Sequence, residues 1–332
     1  MEPSMSQDSC QAAVQGAPNP WPQPNMTPEV ECIIKLGGSA ITNKDVIRTP
    51  IPKNISAAAD IIAGISGRCI VVHGAGSFGH FEASEYKVSQ GYRHLSSEQR
   101  ARVQEGFCKT RLSVTTLNHL IVQALVDKGI SAVGASVCRA WKTKGRSKVT
   151  QNDCQNVAEL LSEKFVPVLH GDCVLDEDLG CTILSGDNII EVLSRYFRPK
   201  RVVFLSNVDG IYTAPPQEPT ASLIPHIFVR EDGSIATSIA TDQLDHDVTG
   251  GIKNKISSAC SIVRNSEGAM SVFVCRLGSE AAISACHVGD EAGWTGGTLI
   301  QLEGRPVSRQ RPSPPHHTSS SKNLADCTVD RT

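Results

Sequence analysis

Short apolar runs alternate along the chain with segments whose apolar residues recur every three or four positions. The runs are VECIIKLG (30–37), CIVVHG (69–74), ISAVGASV (130–137), FVPVLHG (165–171), RVVFLSNV (201–208) and MSVFVC (270–275). They are too short for helices and rich in Val and Ile, which predicts strands buried on both faces. Between them the helical period predicts a helix over 52–65, a long helical region, whole or broken, over 97–128, and helices over 154–163, 187–197 and 253–265. This alternation predicts an α/β fold, with a largely parallel sheet and helices on both faces. CVLDEDLGCTIL (173–184) reads as a hairpin with its turn at Glu177–Gly180. No internal repeat and no linker interrupts the pattern, so one domain with two lobes is expected.

Both ends lack that pattern. The first 28 residues are rich in Pro, Gln and Ser, and the stretch from about Arg305 onward is equally poor in core-forming residues. Disordered tails are expected at 1–28 and 305–332, around a folded domain at 29–304. The N-terminal stretch has no charged start followed by an apolar core, so it does not read as a secretory signal.

Composition narrows the class. Of 332 residues, 40% are hydrophobic and 20% charged, ordinary values for a soluble globular protein. A net charge of −2 argues against a broad nucleic-acid footprint, and no apolar stretch is long enough to span a bilayer. The twelve cysteines are scattered, without any C-x-x-C, and most sit in or beside apolar runs. They read as reduced core residues of a cytosolic protein.

The chemistry is in the glycines. Clusters follow strands or open helices at KLGGS (35–39), GAGSFGH (74–80), SGD (185–187) and TGGIKNK (249–255), and Gly171–Asp172 makes a further turn. In an open α/β sheet, loops beyond the carboxyl ends of the strands build the ligand site. Glycine lets backbone N–H groups approach an anion closely, and a helix N-terminus adds partial positive charge. G-x-x-x-x-G-K-[ST] and the protein-kinase signatures are absent. GAGSFG matches a bare dinucleotide-binding pattern but lacks a clear ribose-binding acid about 20 residues on, so a dehydrogenase stays a weak alternative. Lys35 lies between IIK and LGG, where the first predicted strand should run into the sheet centre, and a buried cation there needs an anionic partner.

KLGGSAITNK, VVHGAGSFGH, LSGDNI, SNVDGIY and DVTGGIKNK, in this order and spacing, resemble the amino acid kinase superfamily, and within it the isopentenyl phosphate kinase family. The likeness covers about residues 31–302. It implies a three-layer αβα sandwich around a mostly parallel central sheet, usually dimeric. It also implies an acceptor-binding lobe over about 29–184 and a nucleotide-binding lobe over about 185–304. The implied reaction phosphorylates isopentenyl phosphate with ATP and Mg²⁺, the metal carried by ATP rather than by protein side chains. Dimethylallyl phosphate is a possible second acceptor. By position, Lys35, Gly37, Gly38 and Ser39 are implied to contact the ATP phosphates. Lys44 would stabilise the transferring group, and Ala75 and Gly76 would lie where the two phosphates meet. Gly79, Gly171 and Gly186 border the acceptor, and His80 would touch its phosphate. Asp187 would orient both Lys35 and Lys44. Asp209, Gly210, Tyr212, Gly250, Gly251 and Lys255 fall on the nucleotide side, with Lys253 the alternative to Lys255. Two other readings remain open: a superfamily kinase with another phosphate, phosphonate or carboxylate acceptor, and a non-catalytic nucleotide-binding regulator. For His73, a core or loop hydrogen bond is expected.

Overall fold

The computed structural model describes residues 27–236, 251–289 and 291–304; the expected tails, apart from residues 27 and 28, lie outside the described residues. In chain order the first half contains β1 (Cys32–Leu36), α1 (Gly38–Ile41), α2 (Pro52–Ala63), β2 (Cys69–His73), α3 (His80–Glu85), α4 (Ser97–Asp127), β3 (Ala132–Gly134), β4 (Lys142–Lys144), β5 (Lys148–Gln151) and α5 (Cys154–Ser162). The second half contains β6 (Val166–His170), β7 (Asp172–Asp176), β8 (Gly180–Leu184), α6 (Gly186–Phe197), β9 (Arg201–Ser206), β10 (Ile211–Tyr212), β11 (Leu223–Ile224), β12 (His226–Val229), α7 (Gly251–Asn265), β13 (Ser271–Arg276), α8 (Glu280–His287) and β14 (Thr298–Leu302).

Eight strands form the central sheet, in the order β12-β14-β13-β9-β1-β2-β6-β3. From β13 to β3 every pairing is parallel, and β14 meets β13 antiparallel. β1, at the centre, pairs with β9 on one side and β2 on the other, and all five of its residues are buried. That burial explains the unbroken apolar reading of this strand. Alternate residues enter opposite cores. Ile33 packs with Leu161, Ile189, Leu193 and Ile256, from α5, α6 and α7. Cys32, Ile34 and Leu36 pack with Ile62, Leu117, Ile121 and Ala282, from α2, α4 and α8. The expected three-layer αβα sandwich is the architecture observed.

The long helical region is one uninterrupted helix. Ser96 caps α4 with its side chain, and Gln99 returns a bond to the Ser96 backbone. Its buried positions Val103, Gly106, Thr110, Val114, Leu117, Ile121 and Leu125 keep a spacing of three or four throughout, so nothing breaks it. The hairpin forms between β7 and β8, with Asp176 opposite Gly180. It belongs to a second, four-stranded sheet ordered β5-β4-β7-β8. The cysteines at Cys32, Cys69, Cys154, Cys173, Cys181, Cys260, Cys275 and Cys286 are buried, and burial pushes the Cys69 thiol up to about 12. They act as packing groups rather than nucleophiles.

Candidate active site

The site lies at the carboxyl ends of β1, β2, β6 and β9. Lys35, one residue before the end of β1, is only 8% exposed. Its ammonium pairs with Asp187 in the first turn of α6 and stands 5.6 Å from the centroid of the Phe204 ring. The anion that a buried lysine requires is therefore supplied by α6, whose start is fixed by the Ser185 side chain accepting from the Asn188 amide at 3.2 Å.

Two glycine loops cross here, backbone against backbone. A Cβ on Gly38 would sit 2.5 Å from the Gly76 nitrogen. Gly76 has φ +52°, and a Cβ there would meet the Thr42 hydroxyl at 2.1 Å. Thr42 joins the loops, donating from its Oγ1 to the Gly38 carbonyl at 2.8 Å and accepting from the Ser77 amide at 3.0 Å. We expect Gly38→Ala to lower stability by about 1–3 kcal/mol, because backbone must move to admit the methyl. A thermal melt checks this, and an unchanged midpoint contradicts it.

The crossing shapes a specific backbone feature. Ala75 is right-handed helical (φ −70°, ψ −34°) and Gly76 is left-handed (φ +52°). Successive residues of opposite hand turn their N–H groups into one concavity, a nest suited to an anion. Neither amide has a hydrogen-bond partner among the described residues. Gly79 then leads into α3, which begins at His80. The His80 side chain is open to solvent, yet surrounding protein removes enough water to hold its pKa below 6.5. At neutral pH it is an uncharged imidazole, able to donate to an anion without carrying charge.

Gly171 makes the turn between β6 and β7, its amide donating to the His73 carbonyl at 3.0 Å. A Cβ on Gly171 would lie 3.2 Å from the Gly186 nitrogen, and one on Gly186 would lie 3.5 Å from Lys35 Cε. Gly171, Gly186 and Lys35 thus form one continuous wall. On the other flank, Gly37 donates to the Leu205 carbonyl at 2.9 Å and Ser39 Oγ stands 3.5 Å from Asn207 Oδ1.

The amino acid kinase family model matches residues 31–276. The chain belongs to this family. An Arabidopsis thaliana isopentenyl phosphate kinase is 38% identical, covering 71% of this chain and 84% of that protein. One from Methanothermobacter thermautotrophicus is 36% identical, covering 68% and 84%. A solved isopentenyl phosphate kinase structure matches with a TM-score of 0.68 at 30% identity, over 81% of this chain and 99% of that one.

On the side where the family resemblance puts the nucleotide, Asp209 accepts from Arg276 at 2.7 and 2.9 Å and from the Tyr212 hydroxyl at 2.9 Å. The Arg276 guanidinium holds this carboxyl down at about 2. Asp209 is thus committed to fixing the turn that contains Gly210. Lys255, near the start of α7, donates to Ser206 Oγ at 3.1 Å and so reaches the end of β9. Gly251 opens α7; Gly250 and the side chain of Lys253 lie outside the described residues.

One expected contact is not formed. Lys44 is exposed on the turn after α1 and makes no ion pair among the described residues, so Asp187 orients Lys35 alone. The reason is geometric: the turn runs outward and is anchored elsewhere, by Arg48. The Arg48 amide donates to the Ser77 carbonyl at 2.9 Å, and its guanidinium meets the buried Glu82 at 2.9 Å. This pair ties the Lys44 turn to α3 and so to His80. Asp172, too, is more than a turn residue. It is wholly buried, and its carboxylate accepts from Arg111 at 2.5 Å and from the Cys173 amide at 2.8 Å. Burial raises its pKa against these contacts. Arg48, Glu82, Arg111 and Arg276 all lack a local sequence signal, since their partners are 34, 61 and 67 residues away.

Two further histidines link stability to pH. His73 is fully buried, and burial, then the neighbouring His170, push its pKa down to about 3. His170 is lowered for the same first reason, burial. An unfolded histidine titrates near 6.5, so below that pH the unfolded chain binds more protons than the folded one. Stability is complete above about 6.5 and is lost as pH falls toward 3, by up to about 1.4 kcal/mol per pH unit for His73. Urea midpoints at pH 7.5 and 5 should show this loss, with a smaller slope in His73→Phe.

Proposed function

We propose that this protein transfers the γ-phosphoryl group of ATP to isopentenyl phosphate by direct in-line displacement, releasing isopentenyl diphosphate and ADP. The observation that supports this most is the unpartnered Ala75–Gly76 nest, with His80 four residues after Gly76 and Lys35 on the neighbouring strand. The named relatives and the solved neighbour are isopentenyl phosphate kinases, and the residues suit that acceptor.

A phosphate monoester has a second pKa of about 6 and is largely a dianion at neutral pH, so it needs no general base. Its difficulty is repulsion. Two dianions roughly 5 Å apart, at an effective dielectric of about 20, repel by ~13 kcal/mol before screening. Catalysis then consists of alignment and of cations and N–H donors fixed in advance. Lys35 supplies a fixed charge between donor and acceptor, and Asp187 holds it there. Lys44, exposed on its turn, is the second cation for the transferring group. The nest and His80 take the acceptor phosphate, and Lys255 and the Asp209 turn serve the nucleotide. Asp187, Asp209 and Asp172 are each paired with a basic side chain, so Mg²⁺ would be carried by the ATP phosphates. A cytoplasmic homodimer is part of this reading. No helix among the described residues is long and apolar enough to cross a membrane.

The test is direct. Purified protein is incubated with Mg·ATP and, separately, isopentenyl phosphate, dimethylallyl phosphate, glutamate and a small phosphonate. Isopentenyl diphosphate should form fastest. Turnover of the carboxylate with none of isopentenyl phosphate would overturn the reading.

A further inference from the structure

Two neighbouring parallel strands end alike. β2 closes on His73 and β6 on His170, in register. The rings are stacked with centroids 5.2 Å apart. His73 Nδ1 lies 3.0 Å from the Gly74 carbonyl oxygen, and His170 Nδ1 lies 3.1 Å from that of Gly171. Each histidine thus addresses the peptide that immediately follows its strand.

The tautomer of His73 follows from what lies behind it. The Asn118 side-chain nitrogen is 3.1 Å from His73 Nε2 and also donates to the Val168 carbonyl at 3.2 Å. An amide nitrogen only donates, so Nε2 accepts and the ring proton sits on Nδ1. That proton goes to the Gly74 carbonyl. The peptide unit is planar and trans, so fixing the Gly74 C=O fixes the Ala75 N–H at the opposite edge of the same plane. The Ala75 N–H is the first donor of the nest and has no other partner among the described residues.

We infer that His73, backed by Asn118 and stacked on His170, is a positioning residue for the acceptor phosphate, aiming the Ala75 amide by holding the Gly74 carbonyl. This rests on the reading of residues 75–80 as the acceptor-phosphate site. It accounts for the polar ring buried at the end of a strand reading CIVVH. A buried polar ring is tolerated only when both nitrogens are bonded, and here both are. The ring also stays neutral, so its donor points the same way across the physiological pH range. His170 stacks on the ring from the neighbouring strand, and its Nδ1 stands against the Gly171 carbonyl in the same way.

The experiment compares His73→Phe, which keeps a stacked ring but removes the donor, with His73→Asn, whose amide reaches the same carbonyl. His73→Phe should raise KM for isopentenyl phosphate about tenfold, the loss of roughly one hydrogen bond, and leave KM for ATP within about twofold. His73→Asn should recover most of that loss. Equal increases in both KM values, or an unchanged acceptor KM in His73→Phe, would overturn the inference. A measurement on the unaltered full chain stands independently of whether the variants fold. The ¹⁵N shifts of His73 should report the Nδ1–H tautomer, and isopentenyl phosphate should move the amide signals of Ala75 and Gly76. An Nε2–H tautomer with those amides moving refutes the inference and leaves the acceptor site standing. Amides that stay still while the enzyme turns over refute both.

Discussion

Replacing Lys35 with methionine is expected to lower kcat for isopentenyl phosphate phosphorylation by about 10³-fold, the scale of losing one fixed electrostatic contact in a preorganised site. Lys35 is, among the described residues, the cation buried at the end of the central strand, where the family resemblance brings the two phosphates together. Its partner makes the experiment informative. Asp187 Oδ1 pairs with the Lys35 ammonium, the two side chains being 11% and 17% exposed. Removing the lysine alone strands a nearly buried carboxylate, which costs about 3–5 kcal/mol when burial is complete. Lys35→Met should therefore melt lower, and Lys35→Met with Asp187→Asn should regain stability without regaining activity. Asp187→Asn alone should lose less activity than Lys35→Met, since Asp187 acts through the lysine. The double variant should be no slower than Lys35→Met. Steady-state ADP release and thermal melts read all three. A Lys35→Met enzyme within tenfold of wild type would remove Lys35 from the mechanism.

The second large effect falls on the acceptor. His80→Ala should raise KM for isopentenyl phosphate about 10–100-fold, as expected for a hydrogen bond to a charged group, and leave KM for ATP within about threefold. The pH dependence sharpens this. Desolvation holds the His80 pKa below 6.5, so the ring is neutral at pH 8 and gains its proton as pH falls. The protonated ring adds positive charge beside the acceptor, while protonation of the acceptor itself, near pH 6, affects wild type and variant equally. The wild-type to His80→Ala ratio of kcat/KM for the acceptor should thus increase from pH 8 to pH 6. His80→Gln, an uncharged donor, should track wild type at pH 8 and fall behind at pH 6. An acceptor KM in His80→Ala equal to wild type at both pH values would show that the ring does not meet the acceptor phosphate, whereas a raised but pH-independent KM would assign it the part of a neutral donor.

Most of the central architecture was legible because its elements announce themselves locally. β1, β2, β6, β9 and β13 are apolar on both faces, and α2, α5, α6 and α7 carry clear period-3.6 patterns. The elements that went unread are short or polar. β4 reads KTK and β5 KVTQ; β4 is held by pairing with β7, and β5 by pairing with β4, rather than by a buried face. α1 and α3 span four and six residues, too few to show a period. β14 lies between β12, which it meets parallel, and β13, which it meets antiparallel, a placement set by distant strands rather than by its own short run.

Within the site, the glycine loops were legible and the ties between them were not. Gly38 and Gly76 stand out as glycines in sequence, but their contact joins residues from different strands. The same holds for Arg48–Glu82, Arg111–Asp172 and Asp209–Arg276, in which distant side chains fix the loops that bear the chemistry. Asp187 was correctly read as the partner of a lysine, because a carboxylate beside phosphates has to face a cation. The expected second contact, to Lys44, is not formed, because it depends on loop path, which no local pattern encodes.

The central claim is that the carboxyl ends of β1 and β2 hold two phosphates against each other, the acceptor in the backbone nest and Lys35 between them. A crystal structure with a non-hydrolysable ATP analogue and isopentenyl phosphate measures this directly. The account predicts acceptor oxygens about 3 Å from the Ala75 and Gly76 nitrogens, the His80 ring against the same phosphate, and the Lys35 ammonium between donor and acceptor. An acceptor phosphate bound away from the nest, with the His80 ring turned from it, would contradict the account.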